Sequence, residues 1–462
     1  MKKNILGWMT SVIGCYFLIS FQLGCAQISA PTGGAKDSLP PELVKANPAI
    51  NTVNFQGNKI NLTFNEYIEV QELQSNLIIS PLQKNMPVIT SNLRSVSIKF
   101  KDTLMPNTTY SVNFGNSIRD VHESNVLRNF IYVFSTGNMI DSLTIKGKII
   151  VAETGQADST IIAMLYRNLS DTGVLKTRPD YIAKTDGKGN FTFNNLSGND
   201  FMVYALRDGD GGKTYNSKTE LFAFNDSVVS AKNDGAIFLL AYAEQKTNNN
   251  KSNNVLKTPA DKKFRVTANM PDQTFDILQP LELNFNNPLK TFDPTLVELT
   301  DTNYKAVSKV TLNLDSTRKK LTVNVTWQPG SQYYFILPKE AASDSAGNIL
   351  PRSDTIRIKT KSLTDYGRVI LRFTNIHLED HPVIQFVQTD VVKYSYPITT
   401  TEWTNKQFPP GEYLIRILYD INNNGKWDPG NYSQKIQPER AISLEQPLSI
   451  KADWDNERDI KL

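Results

Sequence analysis

Cysteine and histidine are scarce in this chain of 462 residues, which contains two cysteines and three histidines. Cys15 and Cys25 both lie near the start, so the rest of the chain has no thiol for a disulfide or a thiolate metal site. His122, His377 and His381 are too few and too scattered to supply the base of a Ser–His or Cys–His nucleophile system. The domains must therefore be held by hydrophobic cores, and no catalytic residue is predicted.

Charge of one sign and long apolar runs are also in short supply. Lysine and arginine number 50, and aspartate and glutamate number 46, which leaves a net charge of +4. An excess this small does not predict nucleic acid as a partner. After residue 24 no apolar run approaches the ~20 residues that a membrane helix requires. The body of the chain is not expected to span a membrane.

The one long apolar run occupies residues 5–23, after Lys2 and Lys3 and shortly before Cys25. A basic start, an apolar stretch and a small residue at the cut are typical of a secretory signal peptide. With a cysteine directly after the cut, residues 1–24 resemble a bacterial lipoprotein signal. That resemblance implies lipidation of Cys25. The alternatives are a free cysteine after an ordinary signal peptide, or a transmembrane anchor.

The rest of the chain predicts a tether followed by strands. Residues 25–39 are rich in proline, glycine and serine and predict a flexible, lipidated tether. Beyond them, runs such as Lys59–Phe64 and Ser95–Phe100 alternate polar and apolar residues, which predicts short strands with one buried face. A turn or two of helix is expected within residues 66–77. The predicted fold class is all-β, as tandem β-sandwiches.

Two families of internal repeats organise the chain. Residues 60–65 return as residues 281–286, at an offset of 221 that stays between 221 and 224 for the other repeats of this family. Residues 201–208 return as residues 413–420, at an offset of 212. The order is therefore A-B-A′-B′. Between the halves, residues 246–262 are polar and rich in asparagine, which predicts a linker.

Module A contains short segments that are specific in combination: Gly33–Asp37, Pro40-Pro41, Phe64–Tyr67, Lys101–Leu104, Pro106–Tyr110, Asn113–Asn116 and Phe134–Gly137. Over residues 31–137 it resembles the bacterial Ig-like domain found in Bacteroidota lipoproteins. The resemblance is weaker in A′, where Asn287 and Pro288 replace the Glu-Tyr pair. It implies a fold and the cell envelope, and it implies no reaction.

Module B has a hairpin signal at residues 184–193 and the strand Phe201–Leu206. It resembles the prealbumin-like sandwiches of the carboxypeptidase-regulatory or surface-adhesin B type. Together the two resemblances imply the following domains: Ig-like at 40–139, prealbumin-like at 140–245, linker at 246–262, Ig-like at 263–361 and prealbumin-like at 362–462.

The sharpest polar cluster is the run from Asp420 to Asp428, DINNNGKWD. Oxygen ligands at positions 1, 3, 5, 7 and 9 around a glycine at position 6 are typical of a calcium loop. The predicted ligands are Asp420, Asn422, Asn424, Lys426 and Asp428. Position 12 is Asn431 where a glutamate is usual, so modest affinity is expected. The alternative is an Asn/Gly-rich hairpin loop anchored by Trp427.

For the other polar groups, the sequence predicts structural roles. The module B counterpart of the loop, Asp208–Lys213, lacks the ligands at positions 5 and 6. His377 and His381 would bind zinc only on a helix, but their segment predicts strand, turn, strand. Glu66 is expected to act as a structural hydrogen-bonding residue. No cofactor is therefore required, and calcium is the one ion that the sequence suggests.

An Asp followed by Ser or Thr and then by an aliphatic, Thr or Met residue resembles the O-glycan acceptor of Bacteroidota envelope proteins. The predicted glycosylation sites are Ser38, Thr103, Ser142, Ser159, Ser227, Ser316, Ser345 and Thr355.

These features predict a non-catalytic, lipid-anchored outer-membrane protein that acts by protein–protein contacts. By analogy with its family, the expected partner is an outer-membrane β-barrel or envelope complex for protein assembly or transport. The cell surface is favoured over the periplasmic face. The alternative is a surface adhesion or glycan-binding lipoprotein, in which Trp403, Trp427 and Tyr432 form a stacking platform. A third class, a carboxylate hydrolase, would need a deep cleft with paired acids.

Overall fold

The structure, a computed structural model, describes residues 36–233, 235–246, 263–270 and 274–462. Cys25 and the predicted signal peptide lie outside these residues, as does nearly all of the predicted linker. The described part is almost entirely β, which confirms the predicted fold class. No helix in this part is long and apolar enough to cross a membrane. The chain forms two units, one ending at Ile140 and one beginning at Asp141.

The first unit is the Ig-like module A. Its elements are β1 Leu43–Asn47, β2 Lys59–Phe64, β3 Ile68–Val70, α1 Leu73–Asn76, β4 Ile78–Ser80, β5 Val88–Asn92, β6 Ser95–Lys99, β7 Thr109–Asn113, β8 Ile118–Asp120, β9 Val126–Leu127 and β10 Ile131–Ser135. The sheets are β1-β2-β6-β5, β10-β7-β4 and β3-β8-β9. In β2 the buried residues alternate, as the sequence predicts, and they pack into one core with Tyr110, Phe134 and their neighbours.

The second unit begins with module B, for which the sequence predicts a prealbumin-like sandwich. Its elements are β11 Leu143–Val151, β12 Ile162–Tyr166, α2 Gly173–Lys176, β13 Tyr181–Lys184, β14 Asn190–Leu196, β15 Asp200–Leu206, β16 Phe222–Phe224, β17 Val229–Ser230 and β18 Ile237–Ala241. One sheet has the order β14-β11-β18, with β11 and β18 parallel. The other has the order β13-β12-β15-β16, and β17 also pairs with β15.

Module A′ follows in the second unit. Its elements are β19 Val266–Ala268, β20 Leu281–Phe285, β21 Leu289–Phe292, a 3-10 turn Pro294–Leu296, β22 Glu298–Asp301, β23 Thr311–Leu314, β24 Lys320–Asn324, β25 Gln332–Leu337, a 3-10 turn Lys339–Ala341, β26 Ala342–Asp344 and β27 Asp354–Lys359. The sheet β19-β20-β24-β23 has the same order as β1-β2-β6-β5 in module A, and β22-β25-β27 corresponds to β4-β7-β10.

Module B′ closes the second unit. Its elements are 3-10 turns at Leu363–Asp365, Leu378–Asp380 and Tyr432–Gln434, with β28 Gly367–Thr374, β29 Pro382–Gln388, β30 Val391–Pro397, β31 Glu402–Phe408, β32 Gly411–Tyr419, β33 Ala441–Ser443, β34 Leu448–Ile450 and β35 Asp455–Lys461. The sheets β31-β28-β35 and β30-β29-β32-β33 repeat the topology of module B, including its parallel pair. Each sheet lies within one of the four predicted modules, whose boundaries stay predictions.

Each module has a hydrophobic core of its own, and the second unit has one more. The larger sheet of module B is buried on both faces, because alternate residues of β15 point into the module core and away from it. The outward-facing residues pack with residues of module B′ in one cluster. We call this cluster the shared core; it consists of Ala152, Met164, Tyr166, Val174, Met202, Tyr204, Leu206, Tyr215, Phe222, Phe224, Tyr242 and Tyr432.

Candidate functional site

The segment between β32 and β33 contains the predicted calcium loop, and Asp420 is its anchor. This residue is fully buried at the end of β32. Its Oδ1 accepts a hydrogen bond from the Asn424 N–H at 3.0 Å, and its Oδ2 accepts one from the Gly425 N–H at 2.6 Å. Gly425 has a φ of +78°, a conformation that glycine adopts without steric cost. The loop therefore turns back sharply around one carboxylate.

The polar side chains of the loop converge on Asp428. The Nδ2 groups of Asn422 and Asn424 donate to the same Asp428 Oδ2, at 2.5 and 2.6 Å. The side chains of Asn422, Asn424 and Lys426 are exposed, and Asp428 is half-buried. The structure thus brings the predicted ligands together on a solvent-accessible loop. Calcium binding by these residues stays a prediction.

A further carboxylate lies beside the loop, although it is outside the predicted motif. Glu439 is 6 % exposed, and its Oε2 accepts a hydrogen bond from the Asp428 N–H at 3.0 Å. Its Oε1 is buried and has no hydrogen-bond partner in the described part of the chain. Burial raises the pKa of the Glu439 carboxyl, and the charges of Asp420 and Asp428 add to that effect, although the main-chain N–H groups of Asp428 and Asn422 act against it. Glu439 therefore lies beside the loop, in contact with the main chain of Asp428.

The loop leads directly into the junction between modules B and B′. Tyr432 is 5 % exposed and lies in the shared core. Its hydroxyl donates to the Asp171 carbonyl at 2.6 Å, and the Tyr204 hydroxyl lies 3.2 Å away. Its ring packs edge-on against Phe222 and Phe224, with centroids 5.0 and 5.2 Å apart. A tyrosine of B′ thus completes the outer face of the module B sheet.

Polar contacts surround this aromatic centre. Lys435 pairs with Asp171 at 2.8 Å and lies 4.1 Å from the centroid of the Tyr432 ring. The Gln437 Nε2 donates to the Asp226 Oδ1 at 2.8 Å. These contacts join modules B and B′ at the rim of the shared core.

A turn of module B makes a second contact with B′. The Ala441 N–H donates to the Ala152 carbonyl at 2.9 Å, and the Ser443 hydroxyl donates to the Thr154 carbonyl. A Cβ atom on Gly155 would lie 2.5 Å from the Ala441 oxygen. Only a glycine fits at position 155, because the two main chains approach each other so closely there.

The other predicted sites are placed as follows. Each predicted glycosylation site is exposed, and all but Thr355 lie outside strands. The three histidines are exposed, and His377 contacts the Glu379 carboxylate at 3.1 Å. Burial raises the pKa of Glu66, and the charges of Asp120, Asp37 and Glu123 add to that effect. The glycosylation and lipidation sites stay predictions.

The prediction that Trp403, Trp427 and Tyr432 form a stacking platform is wrong. Tyr432 is buried in the shared core, whereas Trp403 packs against the core of B′ and Trp427 against the shared core, each of them partly buried. The Trp427 Nε1 donates to the Glu439 carbonyl at 2.8 Å. These aromatic rings serve as packing groups, so they do not form one open face for a sugar.

Sequence reasoning missed Glu439 and the shared core. Glu439 follows Asp428 by eleven residues, so no local motif connects the two. The shared core did leave a signal, since the run Phe201–Leu206 is apolar at every position and shows no alternation. An unbroken apolar strand indicates burial on both faces.

Residues 37–136 match the family described as bacterial Ig-like domain. This agrees with the resemblance of module A and confirms an Ig-like domain in the first unit. The match covers less than half of the chain. Comparison with curated proteins finds no match.

Several solved structures are similar at low identity. The Escherichia coli alpha-2-macroglobulin fragment spanning domains MG0-NIE-MG1 is 14% identical, with 40% of this chain and 72% of that chain covered and a TM-score of 0.19. The Bacillus anthracis TIE protein is 11% identical, with 93% and 76% covered and a TM-score of 0.17. BcpA, the major pilin subunit of Bacillus cereus, is 10% identical, with 70% and 99% covered and a TM-score of 0.16. Scores this low carry no argument about function.

Proposed function

We propose that this chain is a non-catalytic lipoprotein of the Bacteroidota outer membrane. It acts through protein–protein contacts, as an accessory subunit of a complex that assembles or transports outer-membrane proteins. The observation that carries the proposal is the shared core, which joins modules B and B′ through Tyr432. A flexible string of modules would not need such a junction. A rigid pair holds its surfaces in a fixed arrangement, which lowers the entropic cost of binding a partner.

Two further observations support the proposal. The lipoprotein-like signal before Cys25 accounts for attachment to the membrane, and a lipid anchor with two or more chains holds a protein stably. The family match at residues 37–136 agrees with a bacterial envelope protein of this type. The three histidines all lie exposed, so none occupies an enclosed site where burial would tune a catalytic base.

Adhesion or glycan binding remains a prediction without a site, because the aromatic platform on which it rested is not formed. Trp454 is an exposed tryptophan, at 62 %, but it stands alone beside Lys451. A single ring is a weak basis for sugar recognition. We therefore favour the subunit hypothesis.

The test is a mild-detergent pull-down of the tagged chain from its native outer membrane, with quantitative mass spectrometry. One β-barrel protein in near-stoichiometric amount is the expected result. Two control variants sharpen it. Cys25→Ser should leave the membrane fraction and lose the partner, and Tyr432→Ala should keep the anchor and lose partner affinity. Recovery of the anchored wild-type chain alone would overturn the proposal.

A further inference from the structure

The loop Asp420–Asp428 lacks the bidentate glutamate that a calcium loop usually has at position 12, where this chain has Asn431. The structure brings a different glutamate to the loop. Glu439 is more than nine-tenths buried, is held beside Asp428 by a main-chain hydrogen bond, and keeps one carboxylate oxygen without a partner among the described residues. A buried carboxylate oxygen without a donor is costly, and a cation is the ligand that would satisfy it.

We propose that this loop binds calcium and that Glu439 supplies the missing carboxylate. The ligands are the Lys426 carbonyl and the side chains of Asp420, Asn422, Asn424, Asp428 and Glu439. One oxygen from each gives about six, the lower end of the six to eight oxygens that Ca²⁺ takes. Three carboxylates offset the two charges of the ion, and the exposed side of the loop gives it a way in.

Binding of the ion would require side chains of the loop to rotate. In the described residues no three acidic, histidine or cysteine side chains are already placed to hold a metal. At the loop, Asn422 and Asn424 point their N–H groups at Asp428. A half-turn of each amide exchanges nitrogen for oxygen at the same position, and a cation then replaces the two lost donors. Because those hydrogen bonds must be given up, we expect a dissociation constant of about 10⁻⁴ to 10⁻³ M, the range of extracellular modules.

The counterpart loop of module B shows why only one of the two should bind. There the Lys213 ammonium group lies 3.4 Å from Asp208 Oδ2 and so supplies the positive charge itself. Asp210, like Asp428, accepts a hydrogen bond from an asparagine amide, that of Asn216 at 2.7 Å, so the lysine is what sets this loop apart. Asp210 is therefore a matched control position: an exposed aspartate in the equivalent loop, outside the proposed site.

The bound ion would also stiffen the junction. The Glu439 carbonyl accepts from Trp427, and Trp427 packs against the shared core near Lys246, whose ammonium group lies 6.0 Å from the ring. Tyr432 lies between Asp428 and Glu439 in the sequence. An ion that links these two carboxylates closes the segment that inserts Tyr432 into module B.

The experiment is calcium titration of the full chain by calorimetry, in parallel with terbium luminescence excited through Trp427. We expect one saturable site, terbium emission that calcium displaces, and binding weakened at least about tenfold in Glu439→Gln, which keeps the size of the side chain but removes its charge. Asp210→Asn should bind as the wild type does. Absence of saturable binding up to about 10 mM calcium, well above the expected range, would overturn the proposal.

Equal affinity in wild type and Glu439→Gln would likewise overturn the role of Glu439. If Glu439→Gln melts differently from the wild type in EDTA, Asn424→Ala decides instead, because that side chain is exposed and lies outside the hydrophobic cores. Asn424→Ala should then weaken calcium binding, and unchanged binding would refute the site.

Discussion

Replacing Tyr432 with alanine tests whether modules B and B′ form one cooperative body. The substitution removes a ring that is 5 % exposed and contacts the rings of Tyr204, Tyr215, Phe222 and Phe224. It also removes the hydroxyl that donates to the Asp171 carbonyl. Module B′ has a hydrophobic core of its own, so the damage should be confined to the junction.

The magnitude follows from the burial. A tyrosine that buries about 150 to 250 Å² gains roughly 4 to 6 kcal/mol at about 25 cal/mol per Å², which is an upper bound. Aromatic-to-alanine substitutions in cores cost about 3 to 5 kcal/mol. We therefore expect Tyr432→Ala to destabilise the junction by about 3 to 5 kcal/mol. Tyr432→Phe keeps the ring and should cost only about 0.5 to 1.5 kcal/mol, for the lost hydrogen bond.

Tryptophan fluorescence during urea unfolding is the assay. Apart from Trp8 in the predicted signal peptide, every tryptophan of the chain lies in the second unit, and Trp427 lies beside the shared core. Tyr432→Ala should lower the midpoint and split the transition of the second unit. Tyr304→Ala is the control, since Tyr304 is 69 % exposed. Equal midpoints for Tyr432→Ala and Tyr304→Ala would refute the reasoning.

Three other perturbations have defined outcomes. Gly155→Ala should destabilise the second unit by about 2 kcal/mol or more in urea unfolding, because its φ is +69° and a methyl group would clash with a main-chain oxygen of B′. Gly211→Ala, with a φ of +80° and open space, should show the smaller cost of backbone strain alone. Burial raises the pKa of Tyr132 to about 12, so only the unfolded state gives up this proton between about pH 10 and 12. Calorimetry should therefore show the first unit losing roughly 3 kcal/mol of stability over that interval. Tyr132→Phe should remove that loss, and an unchanged slope would contradict the assignment. Burial acts to raise the pKa of Asp120, but hydrogen bonds from main-chain N–H groups outweigh it and hold the pKa below its usual value. The first unit should therefore lose stability as pH falls from about 4 through the folded-state pKa, and Asp120→Asn should flatten this acid limb of the melting profile.

The fold was predictable because its signals are local and repeated. Polar and apolar residues alternate in Lys59–Phe64, as they do in a strand with one face in the core. The structure shows the same alternation of buried residues in β2. The offset of 212 residues correctly paired β15 with β32, which occupy equivalent positions in modules B and B′. The predicted turn of helix within residues 66–77 is α1, a single turn at Leu73–Asn76. Such features depend on neighbours in the chain.

The candidate site was predictable only in part, because only some of its residues are neighbours in the chain. The motif located Asp420 and Asp428, because a loop that wraps one carboxylate needs a fixed spacing and a glycine. Glu439 and Tyr432 depend on how the chain returns after the loop, and no spacing rule covers that. The aromatic residues of the B′ tip gave the wrong prediction, since composition indicates a ring but does not indicate whether another module covers it.

The two repeated modules differ at the positions where they meet. At the offset of 212, Tyr204 of module B corresponds to Arg416 of B′, and both are buried. By strand pairing, Phe224 of B corresponds to Ser443 of B′. Phe222 and Phe224 of B pack against Tyr432, whereas Ala441 and Ser443 of B′ contact the turn at Gly155. Because the two faces carry different residues, the junction joins one B to one B′, and a single chain supplies that pair.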